Sequence, residues 1–184
     1  MSKLSLALGY FLATASPALA QVAGDVFADG PGNTKVHAAS GFICPPRIGL
    51  FERNAVGERD PAINADFCSY SALDGVYGTI TLAPLSGPYD PKAALVSDFV
   101  EQEGTGGKQI REGVAKLAGV SVYTRTYETT SLEDLHYRTQ FAASAIGNWA
   151  VQVTMEYASP RDDAVEQEFL NAVYAGALRK IAQK

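Results

Sequence analysis

The alternation of apolar and polar side chains is clearest in the C-terminal half of the chain. From Leu135 the odd positions run Leu135, Tyr137, Thr139, Phe141 and Ala143, with His136, Arg138 and Gln140 between them. Beyond Ile146-Gly147-Asn148 the odd positions continue as Trp149, Val151, Val153, Met155 and Tyr157, separated by Gln152, Thr154 and Glu156. A period of two marks a strand with one buried face, and the Gly-Asn between the two runs makes them an antiparallel hairpin. The pattern also predicts a register. A two-residue turn at Gly147-Asn148 sets Ile146 against Trp149 and Phe141 against Thr154, which mixes the faces. A three-residue loop pairs Ala145 with Trp149, Phe141 with Val153, Thr139 with Met155, Tyr137 with Tyr157 and Arg138 with Glu156. A slip of one residue turns every side chain over, so the burial pattern selects the second arrangement.

Shorter stretches extend the sheet. Residues 48–53, 66–71, 76–83, 108–112 and 119–128 read as strands, and Asp74-Gly75 joins the second and third of them as a hairpin. In the third, Val76, Gly78, Ile80 and Leu82 share one side, and Tyr77, Thr79 and Thr81 the other. A helix begins at Asp90-Pro91, a capping residue followed by a proline suited to the first turn, and ends near Gly104. Leu95 and Phe99, with Val96 and Val100 beside them, give it a broad apolar stripe. A final helix opens at Ser159-Pro160. Acidic residues Asp162, Asp163 and Glu166 lie near its start, and Arg179, Lys180 and Lys184 near its end. Val165, Phe169, Leu170, Val173, Tyr174, Leu178 and Ile181 form its buried face.

This element order predicts an α+β fold: an antiparallel sheet, built from a meander and an N-terminal hairpin, packed by two helices. From about residue 48 onward, ending in the strand-to-helix run "GNWAVQVTMEYASP", the layout resembles the Mog1/PsbP-like group of α+β domains. That resemblance implies an accessory or adaptor role rather than catalysis. The chain also resembles exported bacterial domains of unassigned function.

The first twenty residues carry a different pattern. Lys3 is followed by an apolar and small-residue run to Ala15, then Pro17 and Ala18-Leu19-Ala20. A positive start, a short apolar core and small residues at the cleavage positions compose a secretory signal. The run is too short to span a bilayer, which takes about 20 apolar residues. Residues 21–39, rich in Gly, Pro, Asn and Asp, read as a flexible leader, and residues 40–184 as a single domain. Cleavage after Ala20 leaves about 164 residues with a formal charge near −6, destined for the periplasm or the medium. An acidic domain argues against nucleic acid as a partner. Outside the reducing cytoplasm the two cysteines, Cys44 and Cys68, are expected to pair as a disulfide. No motif for a cofactor is present. Two cysteines and two histidines, all far apart, make no zinc site.

Candidate chemistry is sparse. Gly104-Thr105-Gly106-Gly107-Lys108 lacks the spacing and the hydroxyl residue of a phosphate-binding loop and reads as a helix exit. Glu133 or Asp134 beside His136 could serve a hydrolase as an acid–base pair, but no nucleophile motif accompanies them. His37 lies in the leader with no identifiable partner. The strand alternation places Tyr123, Arg125 and Tyr127 on one face of their strand and His136, Arg138 and Gln140 on the polar face of the next. If these sets adjoin, Arg125 and Arg138 repel unless an anion intervenes. Either Glu156 supplies it, or a small anionic ligand does. The expectation is therefore a non-enzymatic domain that binds an envelope protein or a small anionic ligand at the face formed by Tyr123, Arg125, Tyr127, His136, Arg138, Gln140 and Glu156.

Overall fold

A computed structural model describes residues 25–60, 62, 64–73, 76–130, 136–158 and 163–181. The expected export signal, the Asp74-Gly75 turn, the acidic pair Glu133 and Asp134, and the Ser159-Pro160 cap lie outside the described residues. The chain forms β1 (Phe27–Asp29), β2 (Lys35–His37), β3 (Ile43–Cys44), β4 (Arg47–Ile48), β5 (Phe51–Asp60), β6 (Ala65–Ser71) and β7 (Tyr77–Pro84). After these come α1 (Val96–Gly104), β8 (Lys108–Leu117), β9 (Val120–Thr130), β10 (His136–Ile146), β11 (Trp149–Ala158) and α2 (Asp163–Lys180). Strands β4 to β11 make one antiparallel sheet in the order β4-β5-β6-β7-β11-β10-β9-β8, and β1 to β3 make a small separate sheet. The expected α+β arrangement of an antiparallel sheet and two helices is present. The sheet is the larger partner.

The two helices lie on opposite faces. On β10, Ala142 belongs to the cluster with Phe169, Leu170, Val173 and Tyr174 of α2. Its neighbours Phe141 and Ala143 belong to the cluster with Leu95, in the turn before α1, and Phe99 of α1. Adjacent strand residues point to opposite sides, so each helix has its own side of the sheet. Beneath α2, Phe169 packs 4.6 Å from the Phe51 ring and 5.6 Å from Tyr70. The close approach needs a glycine. A Cβ at Gly78 would sit 3.0 Å from the Phe169 ring.

Burial on both faces reverses the predicted register. The β10–β11 hairpin turns on two residues, Gly147 and Asn148, with Ile146 opposite Trp149, Phe141 opposite Thr154 and Thr139 opposite Glu156. Thr139 to Ser144 are all buried without a break. A strand covered on both sides has no wet face to select a register. The tight turn decides instead, and Gly147 supplies the positive φ of 56° that it requires.

The expected flexible leader is corrected over residues 25–39, which form β1, β2 and the turn between them. Its Pro31-Gly32-Asn33 is a turn between paired strands, and three successive inward residues of β6 hold the small sheet down. Asp66 Oδ2 lies 2.7 Å from His37 Nε2. Cys68 forms the expected disulfide with Cys44. The Tyr70 hydroxyl donates to the Pro45 carbonyl at 3.0 Å. On β5, Arg53 donates to the Cys44 and Asn33 carbonyls at 2.6 and 2.8 Å. His37 is buried between Phe27 and Trp149, each ring centroid 5.1 Å away.

Helix α1 is also narrower in its contacts than the sequence suggests. Asp90 Oδ1 accepts from the Lys92 and Ala93 amides at 2.9 and 3.2 Å, capping a turn of 3-10 helix that leads into α1. Leu95 and Phe99 are buried, whereas Val96 and Val100 are 51% and 65% exposed. The glycine-rich exit is structural. Gly107 donates to the Gln102 carbonyl at 2.9 Å, and a Cβ there would lie 2.7 Å from the same oxygen.

Replacing Cys44 and Cys68 together by Ala should lower the unfolding free energy by about 3.5 kcal/mol, the chain-entropy value for a loop of this length. Asp66→Ala should cost about 1–3 kcal/mol by leaving His37 buried with an unmet polar atom. Urea denaturation measures both. If residues 25–39 were an independent leader, neither change would alter the protection of that segment from proteolysis.

Candidate functional site

Covering one face of the sheet by so short a helix leaves part of that face open. Helix α1 sits over β8, β9 and β10. Beside it, over β10, β11, β7 and β6, lies a cleft of about 610 Å³. Strand pairing builds its floor in two rows. Tyr77, Glu156 and Thr139 lie side by side on β7, β11 and β10, and Thr79, Thr154 and Phe141 form the next row. The helix wall presents Asp98, Glu101, Gln102 and Thr105, and the far rim carries Phe67 and Arg59. The volume falls within the ordinary range for small-molecule sites, roughly 300–1,000 Å³.

The polar groups of the cleft are partly engaged with one another. Tyr77 stands beside Glu156 across the β7–β11 pair, and burial followed by the charge of Glu156 pushes the Tyr77 phenol up to about 12. Arg59 Nη1 donates to Thr81 Oγ1 at 2.7 Å. Gln102 Nε2 donates to Thr129 Oγ1 at 2.9 Å, closing the end of the cleft between helix and sheet. Asp98 is half-buried. Burial raises its pKa, against the pull of Arg59, and Glu101 raises it further.

The position of α1 rests on one cation. Arg125 is 8% exposed, and its Cζ lies 3.9 Å from the Phe99 ring centroid. Its Nε and Nη1 donate to the hydroxyls of Tyr123 and Tyr127 at 3.1 and 3.0 Å, and Nη2 donates to Glu112 Oε2 at 3.0 Å. Those partners reach both ends of the helix. Lys92, just before it, donates to Glu112 Oε1 at 2.7 Å, and Tyr127 donates to Glu103 near its C-terminus at 2.9 Å. The hydrogen bond from Lys92, then that from Tyr123, then Arg125, together outweigh desolvation and bring the Glu112 carboxyl down to about 2.

The residues expected to form one binding face are therefore divided. Tyr123, Arg125 and Tyr127 face α1 and are buried beneath it. The alternation of β10 puts His136, Arg138 and Gln140 on the opposite face, so Arg125 and Arg138 are not neighbours. Arg138 stands opposite Glu128 on β9 and Tyr157 on β11, and its Nε lies 3.3 Å from Glu128 Oε2, so the expected pairing with Glu156 does not form. Gln140 is buried, with its Oε1 3.5 Å from Arg111 Nη2. His136 is exposed, with Nδ1 3.2 Å from Thr130 Oγ1. Of the seven residues only Glu156 lines the cleft. The sequence did offer one signal for the rest, the polar side Tyr77, Thr79 and Thr81 of a strand whose other side is apolar.

A serine–histidine–aspartate chain does occur, but elsewhere. Ser40 Oγ lies 2.6 Å from His37 Nδ1, and Asp66 Oδ2 is 2.7 Å from Nε2. All three residues are at most 6% exposed, and Ser40 Oγ also accepts from the Phe42 amide at 3.1 Å. A nucleophile must meet its substrate, and this one is sealed in the core, so the chain is a structural tie. A second cleft, of about 500 Å³, lies between α2 and the β3–β4 segment over Phe42, Ile48 and Val173. Of its rim charges, Arg47 is paired with Glu52. Among the described residues no group of three or more His, Cys, Asp or Glu side chains could hold a metal ion, and no helix is long and apolar enough to cross a membrane.

Arg125→Gln should destabilise the protein by about 3 kcal/mol, because it leaves Glu112 and two tyrosine hydroxyls without their shared donor. Hydrogen exchange should show α1 opening before the rest of the fold. Because the folded Glu112 pKa is depressed, its contribution is complete above the ordinary carboxylate range and is lost as pH falls towards about 2. Glu112→Gln should flatten that part of the stability–pH curve. Asp98 has the opposite sign. Its raised pKa costs stability as pH rises from the ordinary carboxylate value through the folded one, so Asp98→Asn should raise Tm at neutral pH and leave it unchanged in acid. Neither a family model nor a curated protein matches this chain, and the cleft has to be interpreted from its own chemistry.

Proposed function

We propose that this chain is an exported, non-enzymatic binding domain of the cell envelope, and that it holds a small molecule in the cleft between α1 and the sheet. The observation that carries the reading is the lining itself. Concave space of about 610 Å³ is bordered by aromatic rings, threonine hydroxyls and carboxylates brought together from β6, β7, β9, β10, β11 and α1. Such a mixture of apolar walls and a few convergent polar groups is what orients a small ligand. Export is supported by the three-part pattern of the first twenty residues and by the disulfide. The resemblance to Mog1/PsbP-like accessory domains points the same way.

Catalysis fits the cleft less well. Among the described residues its lining includes no histidine, cysteine or lysine. His136, the residue that a hydrolase would use, lies on the other side of the β10 alternation. Two carboxylates perform acid–base chemistry when each is held by a neighbour at a set separation, and no hydrogen bond among the described residues orients Asp98.

A fragment screen followed by NMR should find ligands that shift the amides of Thr79, Thr154 and Phe67. Thr154→Trp, which places an indole on the floor of the cleft, should abolish those shifts and leave the circular dichroism spectrum unchanged. Hits that persist in this variant would move the site elsewhere. Turnover of ester, amide or glycoside substrates that His136→Ala removes would replace the binding reading with the hydrolase.

A further inference from the structure

Resting on the cleft as the ligand site, we infer that its ligand is a small organic cation, a primary amine or guanidine carried on an apolar stem. Hydrogen-bonding capacity separates the ligand classes. Part of the donor capacity of the lining is already engaged inside the protein, since Arg59 Nη1 donates to Thr81 and Gln102 Nε2 donates to Thr129. Among the described lining residues three carboxylates, Asp98, Glu101 and Glu156, stand against the one guanidinium of Arg59, so acceptor capacity predominates. Asp98 and Glu101 lie on the helix wall, three residues apart and so on one face, and Glu156 lies on the floor opposite. Each ionised carboxylate accepts and cannot donate.

A ligand that satisfies this surface must bring donors and few acceptors. An ammonium group has three donors and no acceptor, and a guanidinium five and none. A neutral polyol brings more acceptor lone pairs than donors, and an anion would meet three carboxylates against one guanidinium among the described residues. The apolar part of the lining agrees. Phe67, Tyr77, Tyr137 and Phe141 supply ring faces and edges for an alkyl stem and, where a ring face meets the charge, attraction to the cation. Charge-assisted bonds to carboxylates from two walls fix the charged head between helix and sheet. This reverses the ligand charge that the sequence suggested. The arginine thought to attract an anion is buried under α1, where Glu112 neutralises it.

The state of Asp98 is consistent with a site built for a missing positive charge. It is half-buried and shares the cleft with Glu101 on α1, Arg59 on β5, Tyr77 on β7 and Glu156 on β11, so that negative groups outnumber positive ones among the described residues. A bound cation would stabilise the ionised carboxylate, and binding should weaken as the solution is acidified.

Isothermal titration with 1,5-diaminopentane and with agmatine tests the inference, using 1,5-pentanediol, glutarate and glucose as matched neutral, anionic and polyol probes. Binding of at least one cation is expected, with amide shifts at Thr79 and Thr154, weakening with added salt, and a loss of at least tenfold in both Asp98→Asn and Glu156→Gln. Denaturation curves of the two variants confirm that they fold. Preference for the diol, the sugar or the dianion at the same amides would overturn the cation and leave the cleft standing as a ligand site. Cation binding that neither substitution weakens would overturn it as well. If none of these probes shifts the cleft amides, the cation is overturned, while any hit from the fragment screen that Thr154→Trp removes still upholds the cleft.

Discussion

A helix of nine residues is too short to persist in water by its own hydrogen bonds. Helix α1 and the turn before it bury only Leu95 and Phe99, and two residues of its own apolar stripe face solvent. The buried Arg125 guanidinium keeps this helix in place. It stacks against Phe99 and, through Glu112, Tyr123 and Tyr127, reaches Lys92 before the helix and Glu103 near its end. A cation under a helix is costly unless every donor finds a partner. Here the phenols and the carboxylate provide partners, and they fix the angle at which α1 stands over the sheet. The cleft follows from that angle. It is the space left where a short, firmly attached helix stops and the sheet continues beyond it.

The legible part of the fold was the part governed by local periodicity. Strands 66–71 and 76–83, the long hairpin, both helices and the pairing of Cys44 with Cys68 were all readable from residue spacing and compartment. The inferences that assumed one dry face for β9, β10 and β11 failed. Phe141 and Ala142 are both fully covered, by different helices, and a strand buried on two sides gives the same apolar run in either register. The expected β10–β11 register implies a pairing of Arg138 with Glu156 that does not form, and the expectation that the polar sides of β9 and β10 adjoin puts Arg125 beside Arg138, whereas Arg125 stands opposite Phe141. For residues 25–39 the composition was read as mobility because its anchors are distant in sequence. His37 is bound by Asp66, twenty-nine residues away. No local pattern encodes such a tie.

The candidate site was less legible than the fold for a related reason. Its residues come from seven elements, and none is unusual for its own element. Threonines on the polar side of a strand suit β structure, and Asp98 and Glu101 on a helix read as an ordinary solvated face. They acquire meaning only when β7 is placed beside β11, a pairing of strands about seventy residues apart in the chain. The sequence could show that Tyr77, Thr79 and Thr81 share a side. It could not show that Tyr77 and Thr79 line a cleft beside α1.

The two faces of the sheet divide the demands on the molecule. The α2 face carries the continuous apolar cluster, the disulfide and the buried ties to the small sheet. The α1 face carries rows of threonine, a tyrosine held close to a glutamate, and a half-buried aspartate whose ionisation works against folding. A site of that kind is tolerated where another part of the structure supplies the surplus stability, since groups arranged to meet a ligand are left incompletely satisfied without it. On this view the N-terminal sheet and its three anchors on β6 belong to the function as much as the cleft does. They stabilise a domain whose other face, among the described residues, sets Asp98, Glu101 and Glu156 around a cleft with the one guanidinium of Arg59.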